Sequence, residues 1–204
     1  MKIGSEYLMS LRERKTQKKK EEIVHSALSI IAEKGYHATT MEDIASNLLM
    51  TKGSVYYYFE NKQDLLYQSQ KSLLEQSISN VQLVMNEDLP IIEKLNKTLY
   101  VHIDYLITER TGCEMSLSPD HFFEGEQLEN IIYLRDKYSS IIDLLIMTGI
   151  EEGQFNKVDV SIVRNIILGA MNYVIEWYSP QGSMNKEELA KSISGYLKLI
   201  LLKS

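Results

Sequence analysis

The run from Thr51 to Phe59 contains side chains that could bind a nucleic acid. It offers a cation at Lys52, no side chain at Gly53, and beyond them a hydroxyl and several phenols. Lysine reaches phosphate and base oxygens, and glycine lets two backbones approach closely. Val55 and Phe59, four residues apart, can face inward on one helix and leave the polar residues outward. The run therefore predicts a helix that reads DNA.

The helix before this run would support it. Thr40 and Asp43 have the spacing of a capping box, and Ile44, Ala45 and Leu48 repeat at helical intervals. Joined by a turn, the two helices would form a helix-turn-helix. We expect base contacts from Lys52, Gly53 and Tyr57. We expect phosphate contacts from Thr40, Thr51, Ser54, Tyr56, Tyr58 and Lys62.

These segments resemble the N-terminal signature of the TetR family of bacterial transcriptional regulators. The resemblance rests on IA from Ile44, TKGSVYYYF from Thr51 and NKQDL from Asn61. About ten positions agree in order, including a glycine inside the recognition helix. The family usually has small residues and a glycine in the turn, where this chain has LLM from Leu48. The resemblance also implies that Lys62 contacts the DNA backbone.

The net charge of −6 is unevenly distributed along the chain. Residues 1–64 hold ten Lys or Arg against nine Asp or Glu, whereas residues 65–204 hold twelve against nineteen. Residues 12–20 carry six basic side chains against the single acid Glu13. Such a run is often a solvated tail, but directly before a DNA-reading unit we expect it to contact phosphates.

Periodicity and composition indicate an all-α fold of about nine helices, with few prolines and no convincing strand. Residues 1–64 would form a basic arm, mobile to about residue 16, and a three-helix helix-turn-helix DNA-binding domain. Residues 65–204 would form a larger helical domain for ligand binding and dimerisation. After the first three helices, we expect helices from Asn61 to about Met85, Pro90 to about Thr108, Glu126 to Glu152, Asp159 to Trp177 and from Asn185 onward.

The sequence carries no signal for a membrane or for export. No run of about 18 apolar residues occurs, and the N-terminus lacks the apolar core of a leader. We therefore expect a cytoplasmic protein without membrane contact. Cys113 is the only cysteine, which excludes an internal disulfide.

Groups suited to catalysis are scarce. Cys113 and His121 share one irregular segment, but a lone cysteine with a lone histidine is more often incidental. His121, Glu124 and Glu126 could bind a metal, yet one histidine and two acids in a loop are a generic set. We predict a protein that is not an enzyme, with no catalytic residue, metal or cofactor.

The last two helices are apolar on more than one face, as helices that pack on a second subunit must be. Gly169, Ala170 and Gly195 would permit close helix approach. Helix-turn-helix readers gain affinity by placing two recognition helices in successive major grooves, roughly 34–36 Å apart. The TetR resemblance implies a homodimer through these helices, as a four-helix bundle. Alternatively, the two faces only close the core of the monomer.

Several polar residues interrupt otherwise apolar helices in the second part. As a set they match a mostly apolar pocket with a few convergent polar groups, and the TetR resemblance implies a pocket for a small-molecule effector there. The predicted effector-binding residues are His102, Tyr105, Tyr133, Tyr138, Asn172, Tyr173 and Trp177.

The segment NYVIEWYSPQG from Asn172 resembles an ending found in TetR members that regulate lipid or other acyl catabolism and sense CoA thioesters. Ser179 replaces an arginine that is common there, which removes a cation suited to phosphates. A hydrophobic drug or a free fatty acid is an alternative effector.

The expected function is therefore a homodimeric transcriptional repressor that an apolar or amphipathic effector, such as a fatty acyl-CoA, releases from palindromic double-stranded operator DNA. The alternatives are a ligand-independent DNA-binding protein and an enzyme with an incidental helix-turn-helix.

Overall fold

The computed structural model describes residues 10–114 and 118–202 of the chain. The α-helices are α1 (Leu11–Lys34), α2 (Met41–Asn47), α3 (Lys52–Tyr56), α4 (Lys62–Met85), α5 (Ile91–Thr108), α6 (Arg110–Glu114), α7 (Gly125–Glu151), α8 (Val160–Asn172), α9 (Val174–Trp177) and α10 (Lys186–Leu197). Two 3-10 helices span Pro119–His121 and Lys198–Ile200. These residues contain no strand, and the predicted all-α fold is confirmed.

The chain divides between Ser69 and Gln70 into two compact units. This division falls inside α4, a little beyond the domain boundary that the sequence suggested at residue 64. This division does not test the roles expected for the two parts. DNA binding by the first part, and effector binding with dimerisation by the second, stay predictions.

Helix α1 begins earlier than the sequence pattern suggested. Ser10 Oγ accepts from the backbone N of Glu13 at 3.2 Å, and Glu13 Oε2 accepts from the backbone N of Ser10 at 2.7 Å. This capping box satisfies free amides at the helix start. The expectation of mobility up to about residue 16 is therefore wrong for residues 11–16, while its first nine residues lie outside the described range.

Local capping explains the starts of α2 and α3. Thr40 and Asp43 form the predicted capping box, with the Thr40 hydroxyl accepting from the backbone N of Asp43 at 3.1 Å. Thr51 caps α3 by accepting from the backbone N of Ser54 at 3.2 Å. Helices α1, α2 and α3 bury one small core together with Phe59 and the start of α4. Burying each of the larger side chains of this core contributes about 1.5–3 kcal/mol. That core comprises Ile23, Ala27, Ile30, Met41, Ile44, Ala45, Val55, Phe59 and Leu65.

The turn between α2 and α3 has the hydrogen bonds of a Schellman motif. The backbone N of Met50 donates to Ala45 O at 2.9 Å, and that of Leu49 donates to Ser46 O at 3.1 Å. The motif needs a left-handed residue at its centre, which is usually glycine. Leu49 takes that place with φ 54°, and the residue is 97% exposed. Leu49 thus stands at the position of the motif that glycine usually takes.

The second unit packs its long helices around one large apolar core. Helix α10 lies on α5, α7 contacts both α5 and α8, and α9 also contacts α5. The helices expected from Asp159 and from Asn185 both begin at a side-chain cap. Asp159 accepts from the backbone N of Ile162 at 3.0 Å, and Asn185 from that of Glu188 at 2.9 Å. Core side chains that are almost fully buried include Leu95, Leu99, Ile103, Ile142, Leu145, Ile146, Ile167 and Leu201.

Two elements differ from the sequence-based expectation. The single helix expected from Asp159 to Trp177 is divided at Tyr173, because ψ there opens to −14° and the turn tightens. Helix α6, Arg110–Glu114, lies in a segment that was expected to be irregular. It is too short for a clear apolar period, so only its packed surroundings define it.

Gly149 permits a close contact near the end of α7. A Cβ atom at this position would lie 2.2 Å from the Phe155 ring, far inside van der Waals distance. Phe155 itself is almost fully buried, and the next residue donates from its backbone N to Leu201 O at 2.8 Å. The ring therefore occupies the space that a side chain on α7 would need.

Candidate nucleic-acid interface and buried cavity

Helix α3 presents the predicted DNA contacts around a buried Val55. Lys52, Gly53, Tyr56 and Tyr57 are exposed, with 71% of Tyr57 accessible. No atom outside α3 comes within 4 Å of the space above Gly53, so another backbone can approach there. This exposed strip could lie in a DNA groove.

Other residues that were predicted to contact DNA also have contacts within the protein. The Thr51 and Ser54 hydroxyls lie 2.8 Å apart, and Ser54 and Tyr58 are only partly exposed. Tyr58 stacks edge-on against Tyr57 with ring centroids 4.9 Å apart. The exposed Thr40 forms its cap with Asp43. These residues hold α3 and its flanks in place, while their remaining hydrogen-bonding capacity stays available.

Lys52 is paired within the protein. Its ammonium donates to the Glu42 carboxylate on α2 and lies 5.9 Å from the centre of the Tyr56 ring. The hydrogen bond to Glu42 raises the pKa of Lys52. Both side chains are about half exposed, so the pair is open to solvent and exchangeable. Sequence reasoning missed Glu42, since its contact joins two helices.

Lys62 has an intramolecular role. Its ammonium donates to the carbonyl oxygens of Tyr36 and Thr39, the latter at 2.6 Å, and lies 4.3 Å from the centre of the Tyr36 ring. Partial burial lowers the pKa of Lys62. The first turn of α4 is thereby tied to the segment between α1 and α2. Contact between Lys62 and a phosphate stays a prediction.

The basic run, residues 12–20, lies on α1, and its side chains have different surroundings. Lys20 donates to Gln68 Oε1 at 3.0 Å, and Lys19 pairs with Glu22 at 2.9 Å. Arg12, Arg14, Lys15 and Lys18 are exposed toward the start of the helix. The basic run is therefore part of a helix, whereas the sequence suggested a mobile arm up to about residue 16.

The second unit encloses a cavity of about 310 Å³ between α4, α5, α7 and α8. His102, Tyr138 and Asn172 line it and form one hydrogen-bonded chain. His102 Nδ1 lies 2.5 Å from the Tyr138 hydroxyl, and His102 Nε2 lies 3.1 Å from Asn172 Oδ1.

Burial gives His102 a defined protonation state. The ring borders the cavity but is otherwise surrounded by protein. This burial disfavours the charged form and lowers the pKa of His102 to about 4. A neutral ring donates from one nitrogen and accepts at the other. Asn172 Oδ1 can only accept, so Nε2 donates to it and Nδ1 accepts from the Tyr138 hydroxyl. Burial also raises the pKa of Tyr138, which keeps that hydroxyl protonated.

The structure brings three of the seven predicted effector residues together at this cavity. Tyr105 is not on its wall and donates from its hydroxyl to Leu73 O at 3.2 Å. Tyr133, Tyr173 and Trp177 are each more than half exposed and do not line it either. Sequence reasoning missed the remaining wall residues, which are Leu73, Leu74, Ser77, Leu106, Cys113, Arg135, Ser139, Asn165, Leu168 and Gly169. Helical spacing places Asn165, Gly169 and Asn172 on one side of α8. The sequence could therefore have predicted that this side lines the cavity.

Four exposed apolar residues on α8, on α9 and between them form an apolar stripe. Ile162, Ile166, Tyr173 and Trp177 recur at helical spacing and are 50–64% exposed. The space beside Gly169, on the edge of this stripe, is open. Tyr196, Leu199 and Ile200 near the C-terminus are exposed apolar residues as well. Large exposed apolar patches mark interaction surfaces.

Residues 10–114 and 118–202 offer neither a membrane span nor a metal-binding cluster. No helix there is both long and apolar enough to cross a membrane. No group of three or more His, Cys, Asp or Glu residues there could hold a metal ion, and this includes the set around His121.

Two family models match the chain. The model of bacterial regulatory proteins of the tetR family matches residues 23–68, which contain the second half of α1, all of α2 and α3, and the first turns of α4. The model of the tetracyclin repressor-like C-terminal domain matches residues 88–201, more than half of the chain.

Named proteins are similar over most of the chain. The fatty acid metabolism regulator protein of Bacillus subtilis (strain 168) is 26% identical over 155 residues, which cover 76% of this chain and 80% of the relative. The crystal structure of the TetR family regulator PfmR from Thermus thermophilus has a TM-score of 0.79 at 27% identity, covering 88% of this chain and 96% of that one.

A structure of AibR in complex with isovaleryl coenzyme A and operator DNA has a TM-score of 0.76 at 22% identity, covering 87% and 96% of the two chains. At that identity the likeness shows a shared fold.

Proposed function

Because the chain belongs to the TetR family of bacterial regulatory proteins, we propose that it is a homodimeric repressor which leaves its operator when a small effector binds. The chain is a DNA-binding transcriptional regulator, as the family is, and not an enzyme. The proposal places its work in the cytoplasm, where operator DNA is found. Residues 1–64 would bind DNA, and residues 65–204 would bind the effector and the second subunit.

The observation that carries DNA reading is the exposed strip of α3 after a rigid turn. Lys52, Gly53 and Tyr57 would contact base edges in the major groove. The residues proposed to contact phosphates are Thr40, Thr51, Ser54, Tyr56, Tyr58 and Lys62. Arg12, Lys15 and Lys18 would add affinity that depends on salt concentration, since each phosphate contact releases counterions.

The apolar stripe of α8 and α9 supports the homodimer. Two copies that cover Ile162, Ile166, Tyr173 and Trp177 would hide apolar surface from water. Two recognition helices could then occupy successive major grooves of a palindromic operator, roughly 34–36 Å apart. The residues near Tyr196 would extend this interface along the last helix.

The cavity supports an effector site. It is mostly apolar with a few polar groups, as small-molecule sites are. One relative is named as a fatty acid metabolism regulator, and AibR was crystallised with isovaleryl coenzyme A. We therefore propose an acyl compound, free or as a CoA thioester, as the effector.

Helix α4 would couple the two activities, since one continuous helix contributes residues to both units. An effector that binds one conformation more tightly shifts the population toward it. A coupling free energy of about 1–3 kcal/mol would change operator affinity roughly 5- to 150-fold.

Selection from random double-stranded DNA, followed by binding measurements, tests DNA reading. The wild-type protein should enrich a palindrome. Tyr57→Ala should lose about 1–3 kcal/mol on that palindrome and little on random DNA, because a base contact is lost. Tyr133→Ala removes another exposed tyrosine, on α7, and should leave both affinities unchanged. Equal losses on both DNAs for Tyr57→Ala would contradict its assigned role, and failure to enrich any sequence would contradict the proposed function.

A further inference from the structure

The cavity that His102, Tyr138 and Asn172 line, called the inner cavity, adjoins a second cavity. This outer cavity of about 410 Å³ is more polar and more open, and is lined by residues of α7 and α8. Arg135, Ser139 and Asn165 belong to the walls of both. These three residues therefore lie at the junction of the two cavities, within reach of a ligand in either.

The inner cavity is almost free of charge. Among its described wall residues, Arg135 is the one side chain with a formal charge, since His102 is neutral. The other polar groups at the wall are hydroxyls, amides and the bonded histidine. No carboxylate is present to balance a bound cation, and transferring a charged group into such a space is costly. The inner cavity thus suits the apolar part of a ligand.

Arg135 places a cation at the junction. Its side chain is exposed on α7 and forms no hydrogen bond or ion pair with the residues that the structure describes. Arg164, which also borders the outer cavity, is paired with Asp143, so its charge is already balanced. Asp136 faces the outer cavity too, but not the inner one. A guanidinium forms paired hydrogen bonds with carboxylate or phosphate oxygens.

We propose that the effector is an anionic amphiphile of medium length, whose apolar part fills the inner cavity and whose anionic group binds Arg135 at the junction. The inference rests on the proposed function, because it assigns ligand chemistry to the effector site. A carboxylate and the phosphates of a CoA thioester share this anionic chemistry, and the outer cavity is open to either.

The volume of the inner cavity limits the chain length. A methylene group takes up about as much space as a liquid water molecule, roughly 30 Å³, so the cavity holds a chain of about ten carbon atoms at most. A sixteen-carbon chain would exceed this space, so it would have to extend past Arg135 into the more polar outer cavity or force the walls apart.

Calorimetric titration of the full-length protein tests both parts of the proposal. The probes are octanoate, octanoyl-CoA, hexadecanoyl-CoA and the uncharged 1-octanol. The tighter of the two eight-carbon anions should bind at least about tenfold more tightly than hexadecanoyl-CoA, a difference of about 1.4 kcal/mol. Comparison of octanoate with octanoyl-CoA shows whether the anionic group is a carboxylate or a phosphate.

Arg135→Gln should weaken that anion at least about tenfold and leave 1-octanol unchanged, because only the anion uses the guanidinium. Lys137→Gln is the matched control, since it removes the same charge from an exposed residue of α7 that lines neither cavity. This variant should bind every probe as the wild type does. Circular dichroism checks that both variants fold.

The outcomes separate this inference from the proposed function. If hexadecanoyl-CoA binds as tightly as the eight-carbon anions, or if Arg135→Gln has no effect beyond that of Lys137→Gln, the inference is overturned. If an acyl probe nevertheless dissociates the protein from the selected DNA, the proposed function stands. If no probe binds and none affects that complex, the acyl effector fails together with the inference.

Discussion

Leu49 holds a backbone conformation that residues with a Cβ atom rarely adopt. Its φ of 54° lies in the left-handed region, where the Cβ crowds the following carbonyl at a cost of about 1–2 kcal/mol. The Schellman bonds from Leu49 and Met50 fix this conformation. Because Leu49 is 97% exposed, packing contributes little that could offset this cost.

Leu49→Gly should therefore stabilise the first unit. Glycine removes the crowding but loses about 0.5–1 kcal/mol to its greater freedom in the unfolded chain, so a net gain of about 0.5–1 kcal/mol is expected. Urea unfolding followed by circular dichroism measures this change. Leu49→Ala keeps a Cβ atom and should gain nothing. A glycine variant that is less stable than the alanine variant would contradict this account of the turn.

Individual site residues could be predicted only where the signal is local. Lys52 and Tyr57 were predicted from the spacing around Val55, and both are exposed. Glu42 could not be foreseen as the partner of Lys52, because their contact depends on how α2 packs on α3. Tyr133 interrupts an apolar pattern just as Tyr138 does, yet it lies on the opposite, exposed side of α7.

The start of α4 is held by more than its own cap. Asn61 Oδ1 accepts from the backbone N of Asp64 at 2.8 Å, at the helix start that the sequence predicted. Lys62 adds bonds to carbonyl groups of the segment that follows α1. Hydrogen bonds from a charged donor contribute more than neutral ones. This lysine therefore stabilises the connection between α1, α2 and α4.

Lys62→Met should lower the free energy of unfolding of the first unit by about 1–2 kcal/mol, because two carbonyl groups lose a charged donor. Urea is the suitable denaturant, since guanidinium would screen charges. If Lys62 also contacts a phosphate, the slope of log K against log salt for DNA binding falls by about 0.9.

Lys18→Met provides the comparison, because Lys18 is an exposed cation on α1. It should reduce the salt slope by a similar amount, about 0.9, and leave stability unchanged. Unaltered stability in Lys62→Met would show that its bonds to the carbonyl groups contribute nothing.

Elements were predictable where a cap and an apolar period coincide. Thr40, Asp159 and Asn185 each mark a helix start correctly, since the bonds that cap a helix lie within a few residues. The start of α1 was missed although Ser10 and Glu13 have capping-box spacing, because no apolar period follows them directly. The division at Tyr173 has no comparable local signal.

At the scale of the whole molecule, the apolar stripe on α8 and α9 is the feature that a second copy would explain. A charge at its centre would be buried without a partner in the proposed dimer. Ile166→Glu should raise the dimer dissociation constant at least about tenfold, or about 1.4 kcal/mol. Analytical ultracentrifugation over a concentration series measures this constant.

Leu144→Glu places the same charge on an exposed apolar residue of α7, 55% accessible and outside the stripe. This control should leave the dimer intact. If wild-type protein sediments as a monomer throughout, or if both variants dissociate alike, the interface lies elsewhere or does not exist.

The contact between Gly149 and Phe155 has an evolutionary consequence. The ring fills the space of the missing side chain, so neither position is free to change alone. A lineage that acquires alanine at position 149 must first, or at the same time, exchange the ring at position 155 for a smaller residue. We expect these two positions to vary together across an alignment of relatives. Where a phylogenetic tree separates the two changes, the smaller residue at position 155 should come before the alanine at position 149.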